Sequence, residues 1–311
     1  MSVQAALPFV LSYEPPADSK AAVQRLHSWI LFGGVVYGAA SCIPSLSWLI
    51  TRLDRDGNPF ARPLSGAEWQ NYAQSVAALC AYGLLAATSF LALRGTIRRP
   101  RLRGLLIVAT TLAVTIAMYG WIMFVVRLTS RASFRPNDAV VYFARTASYL
   151  LWPFVMLWTS NDRASVDADV IRRRLWWGVA ALGLFVTMSS VADEWRSFRL
   201  LLSLYSISWR VVDKFLSCGM FAALIIVAII AACRGTSRAL RWVVGGLLIG
   251  IWLLGTLNLM EFFENARTLQ DIWLMMIGQL VAMLMISMPI LIALLCASTA
   301  RTRDAVPDVQ A

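Results

Sequence analysis

The sequence predicts an all-α protein, a polytopic bundle of eight membrane-spanning helices. Three observations carry that prediction. Of the 311 residues 59% are apolar and only 14% are charged, with a mean hydropathy of +0.66. Soluble domains run at about 45–50% and about 25%. The charges are so distributed that long uncharged gaps separate them, and the connectors between gaps are rich in arginine. The same figures exclude a disordered, collagen-like or disulfide-scaffold chain.

Each span follows from a gap. A charge at the bilayer centre costs several kcal/mol, and about 20 apolar residues cross the hydrocarbon core. The first span, 27–50, starts beside His27, and the second, 70–93, starts beside Trp69. The third, 104–126, follows the run RGTIRRPRLR. The fourth, 139–160, spans only with Arg145 inside it. The fifth, 175–192, is the shortest, and the topology of the second half depends on it. The sixth, 211–233, carries Asp213 and Lys214 near one end. The seventh, 242–262, ends on Glu261, and the eighth is 272–297. This divides the chain into an irregular arm (1–26, with Pro8, Pro15 and Pro16), a four-helix unit (27–160), a basic linker (161–174), a second four-helix unit (175–297) and a tail (298–311). The start lacks the basic, apolar and small-residue pattern of a signal peptide.

Of 28 basic residues only Lys20 and Lys214 are lysine. With the amino terminus in the cytoplasm, the cytoplasmic segments carry 16 basic residues and the outer ones 10, as the positive-inside rule asks. The net charge of +11 then splits into +9 inside, +2 outside and zero in the membrane. We therefore expect a bacterial-type inner (plasma) membrane protein with both termini cytoplasmic. Anionic lipid headgroups account for the basic runs without nucleic acid.

An offset of 140 residues pairs RGTIRRPRLRGLLI at 94–107 with RGTSRALRWVVGGLLI at 234–249, and Trp69 with Trp209. Pro153 and Pro289 fall at similar depth in the fourth and eighth spans. Either low-complexity sequence produces the match, or two parallel four-helix units are fused. Gly34-xxx-Gly38, Gly246-xxx-Gly250 and Ala77-xxx-Ala81 mark close helix approach within the bundle, or contact between copies. Most tryptophans, Trp158, Trp176, Trp177, Trp242 and Trp273 among them, sit near span ends as an interfacial belt.

Several chemistries are excluded. A single histidine, His27, cannot supply bis-histidine haem ligation or an HExxH zinc site. The five cysteines lie in apolar runs and read as small buried hydrophobes. No phosphate loop or dinucleotide fingerprint occurs. Asp54-Arg55-Asp56-Gly57-Asn58 starts like a calcium loop, but its sixth and twelfth positions are Pro59 and Ser65. No cofactor, metal or catalytic pair is expected.

What topology leaves unexplained is a set of ionisable residues at membrane depth: Arg145, Asp213, Lys214, Glu261 and Glu264, all toward the outer side. Glu261, Glu264 and Arg267 share one helical face. Such groups are functional candidates by default. They form either an ion-pair cluster that pins helices or a polar vestibule that binds a small solute. The segment Ala192–Arg210 reads as an amphipathic interfacial helix or cap. Two function classes remain. One is a non-catalytic component of a membrane assembly, or a sensor without an output domain, with the bilayer and other membrane proteins or a second copy as partners. The other is a transporter or channel for an ion or small polar solute, with the charged set as substrate-binding residues.

Overall fold

A computed structural model of the chain describes residues 17–56, 66–97, 99–129, 136–160, 168–193, 209–265 and 269–298. Among them are eight helices and no strands: α1 (Ala17–Asp56), α2 (Gly66–Leu93), α3 (Arg99–Thr129), α4 (Pro136–Ser160), α5 (Ala168–Asp193), α6 (Trp209–Arg234), α7 (Arg238–Asn265) and α8 (Leu269–Ser298). All eight are long and apolar enough to cross a membrane. The chain is an integral membrane protein, and the short fifth span is a full helix of 26 residues.

The helices outrun the uncharged gaps. Residues 17–26, assigned to the irregular arm, are the first turns of α1, and 168–174, assigned to the linker, open α5. A charge gap marks where lipid begins, whereas a helix continues through polar residues such as Lys20, Gln24 and Arg25, which are good helix formers.

Successive helices run antiparallel. Gly34, Gly38 and Cys42 ascend α1 against Ser89, Ala86 and Leu79 descending α2. Val155 and Trp158 of α4 likewise meet Gly178 and Arg174 of α5. We call the face where α1 begins proximal and the opposite face distal. α5 is central, packing on α4, α6, α8 and α1, and α1 packs on α2, α4 and α8. α3 contacts mainly α2 and α4, and α7 mainly α6 and α8. Both four-helix halves therefore share one set of neighbours, closed by α4 on α5 and α8 on α1. A ring of antiparallel helices yields these adjacencies without common ancestry, so the duplication is not confirmed.

The paired RGT sequences have a local cause. Gly95 and Gly235 both adopt positive φ, 70° and 81°, the left-handed conformation that ends a helix at glycine. Thr96 N–H reaches back to the Leu91 carbonyl at 3.1 Å and Gly235 N–H to Ala231 at 3.0 Å. Ser237 Oγ then caps α7 by accepting from Leu240 N–H at 3.1 Å.

The small-residue motifs divide. A Cβ on Gly38 would lie 2.7 Å from the Tyr82 carbonyl oxygen and 2.8 Å from the Ala86 nitrogen, so α1 and α2 approach backbone to backbone. Gly34 packs on Ser89 and Met156. Gly250 meets Met220, but nothing lies within 4 Å of a Cβ at Gly246. Four buried hydroxyls are satisfied within their own helices: Ser89, Thr110, Thr159 and Ser287 each donate to the carbonyl four residues earlier.

Two sequence readings need correction. Trp176, placed in the interfacial belt, is buried, while its neighbour Trp177 is exposed. Adjacent helical residues point about 100° apart, and only one can face the surrounding helices. Among the cysteines Cys296 is buried, but Cys80 and Cys233 are exposed. In a membrane an apolar residue gains nothing by turning inward, so hydrophobicity does not report burial.

Candidate functional site

The helix directions carry all five predicted residues toward the distal face. Arg145 lies in the third turn of α4, Asp213 and Lys214 in the second turn of α6, and Glu261 and Glu264 near the end of α7. Only Asp213 has a described side chain, and it is 2% exposed. The side chains of Arg145, Lys214, Glu261 and Glu264 lie outside the described residues, as do Arg267 and the stretch 194–208.

Next to this set the bundle holds a cavity of about 450 Å³, bordered by α4, α5, α6, α7 and α8, with Tyr37 reaching in from α1. Sequence reasoning did not find it. Helical spacing links it to the charged set: Ser217 is one turn from Asp213 on α6, and Ser148 and Tyr149 are one turn from Arg145 on α4. The described lining is mixed. Ser189, Ser190, Ser217 and Gln279 supply hydroxyls and a carboxamide, while Phe185, Phe221 and Met283 supply apolar surface. Gln279 Nε2 donates to the Gly255 carbonyl at 3.4 Å.

Two prolines shape the proximal end of this cavity. Pro153 is inside α4 and Pro289 inside α8. Proline has no N–H and withholds the helical hydrogen bond from the carbonyl four residues back. Those carbonyls belong to Tyr149 and Met285, and both residues line the cavity. The Tyr149 carbonyl is served from outside α4: Tyr37 Oη donates to it at 3.1 Å and to Ser148 at 3.0 Å, and Tyr82 Oη approaches at 3.4 Å. Tyr37, 2% exposed, is thus the tie between α1 and the broken turn of α4. The depth match of Pro153 and Pro289 was the sequence signal for this place.

Two arginines of the basic run Arg172–Arg174 tie α5 to its neighbours. Arg172 Nε donates to the Cys296 carbonyl in the last turn of α8 at 3.1 Å, and its Nη1 pairs with Asp169 at 2.6 Å. Arg174 Nη1 donates to the Trp158 carbonyl in the last turn of α4 at 2.6 Å and lies over that indole ring. Guanidinium groups at helix C-termini satisfy carbonyls the helix leaves open and complement its dipole.

Among the described residues no group of three metal-ligating side chains occurs. His27, read as an interfacial residue, donates from Nδ1 to the Val23 carbonyl at 2.9 Å. No family model, curated protein or solved structure matches the chain.

Proposed function

We propose that the protein binds a small polar solute inside the membrane, in the cavity between α4 and the helices of the second half, as a transporter or ligand-sensing component of the bilayer. One observation carries this: a cavity of about 450 Å³ set beside the buried Asp213. Sites for small ligands are typically about 300–1,000 Å³, mostly apolar, with a few converging polar groups. In this reading Arg145, Asp213, Lys214, Glu261 and Glu264 form the distal rim that a solute passes. The cavity lies next to two continuous helices that each carry an internal proline, Pro153 in α4 and Pro289 in α8.

The test is extraction. The full chain purified in mild detergent, and the variant Ser217→Trp that fills the cavity, are denatured and the released small molecules analysed by mass spectrometry. A species stoichiometric with the wild type and at least tenfold depleted in the variant supports the reading. Identical extracts overturn it.

A second reading, a structural subunit of a membrane assembly, draws on α7. Trp242, Gly246, Ile249 and Leu253 repeat at four- and three-residue intervals along its exposed side, the spacing of a helix–helix seam. Cross-linking from Ile249→Cys to another chain in native membranes supports it, and cross-linking to lipid alone opposes it.

A further inference from the structure

The cavity's lining also indicates which class of solute it admits. Among the described residues that border it there is no carboxylate, guanidinium, ammonium or imidazole. Its polar side chains, among the described residues, are those of Tyr37, Ser148, Tyr149, Ser189, Ser190, Ser217 and Gln279. An ion placed among them would give up its hydration for neutral dipoles in a low-dielectric surround, which is costly without a counter-charge. A neutral polar group placed there exchanges water for hydroxyl and amide partners at little net cost. The rim carries both signs: Arg145 and Lys214 stand against Asp213, Glu261 and Glu264, a net formal charge of −1.

Resting on the reading of the cavity as a binding site, we propose that its solute is an uncharged, hydrogen-bonding molecule with an apolar part, and that ions and charged solutes are refused. The hydroxyls and Gln279 engage the polar part. Phe185, Phe221 and Met283 hold the apolar part. Selectivity against charge comes from the described lining, whose polar groups are all neutral.

The experiment uses the full chain in lipid nanodiscs, with Ser189→Cys on α5 and Ser217→Cys on α6 as separate reporters. Three thiosulfonates of similar size are compared: uncharged 2-hydroxyethyl, cationic 2-trimethylammonioethyl and anionic 2-sulfonatoethyl methanethiosulfonate. Modification is read site by site by mass spectrometry, and each rate is divided by that reagent's rate on the SDS-unfolded chain. Cys80, exposed on α2, reports what arrives through lipid. We expect the hydroxyethyl reagent to modify positions 189 and 217 at least tenfold faster than either charged reagent, and faster than it modifies Cys80. A charged reagent within threefold of the neutral one overturns the solute class and leaves the binding site standing. Failure of all three on the native protein, or a neutral rate no higher than at Cys80, overturns both.

Discussion

Replacing Tyr37 by phenylalanine isolates the bond that closes the proline-broken turn of α4. The hydroxyl donates to Ser148 and Tyr149 carbonyls at 3.0 and 3.1 Å, and Pro153 leaves the Tyr149 carbonyl without its helical donor. Hydrogen bonds between membrane helices average about 0.6 kcal/mol and reach about 1.7. A bond to a carbonyl whose other described donor, Tyr82 Oη, stands farther off at 3.4 Å belongs in the upper part of that range, so Tyr37→Phe should cost about 1–1.5 kcal/mol. The phenyl ring keeps the contact with Trp152, whose ring centroid is 6.3 Å away, so little packing is lost. In a Pro153→Ala background the substituted residue supplies its own N–H to the Tyr149 carbonyl. The cost of Tyr37→Phe should then fall to about 0.5 kcal/mol, a coupling of about 0.5–1 kcal/mol in the double-mutant cycle. The assay is SDS-driven unfolding of the four proteins in mixed micelles. Equal costs in the two backgrounds would refute the argument that Pro153 makes Tyr149 depend on Tyr37.

Two further outcomes follow from the packing. Gly38→Ala places a methyl group against the α2 backbone and should destabilise by about 1–3 kcal/mol. Gly246→Ala, with nothing near it, should be neutral or gain up to about 1 kcal/mol from helix propensity, so the same unfolding assay should separate the two glycines of look-alike motifs. With N-ethylmaleimide in detergent, Cys80 and Cys233 should react and Cys296 should be protected until the chain unfolds. Labelling of Cys296 at the rate of Cys80 would contradict its burial between α8 and α5.

The parts of this molecule that were legible in the sequence are those governed by the bilayer. The cost of a buried charge fixes where helices can lie, so Arg25, Arg52, Arg94 and Arg127 bracket spans that the structure contains. Inside the bilayer that signal fades. Lipid is as apolar as leucine, so Trp176 and Trp177, or Cys296 and Cys233, cannot be sorted into inner and outer by hydrophobicity. The cavity was illegible for a related reason: its lining comes from six helices whose serines and phenylalanines follow no shared spacing. Pro153 and Pro289 did mark its level, because a missing N–H has the same consequence in any helix. Gly34-xxx-Gly38 and Gly246-xxx-Gly250 looked alike because a motif records small size, not which face is covered.

The arginines of α5 and the two prolines combine into an expectation about motion. Arg172 and Arg174 hold the last turns of α8 and α4 through the Cys296 and Trp158 carbonyls. Between those anchors and the prolines, Val155, Met156, Ile290, Ile292 and Ala293 are all buried. Beyond the prolines the same helices border the cavity at Ser148, Tyr149, Gln279 and Met283. A helix lacking one hydrogen bond bends most readily at that turn, so the anchored proximal segments should stay fixed while the distal segments move. Amide hydrogen exchange in nanodiscs should accordingly be slower in 154–160 and 290–298 than in 137–149 and 272–285. Arg172→Ala combined with Arg174→Ala should raise exchange in the proximal segments at least several-fold and leave the distal ones nearly unchanged. Exchange that is equal on both sides of the prolines, or proximal segments indifferent to both arginines, would show that the helices move as single rods and that the prolines are not hinges.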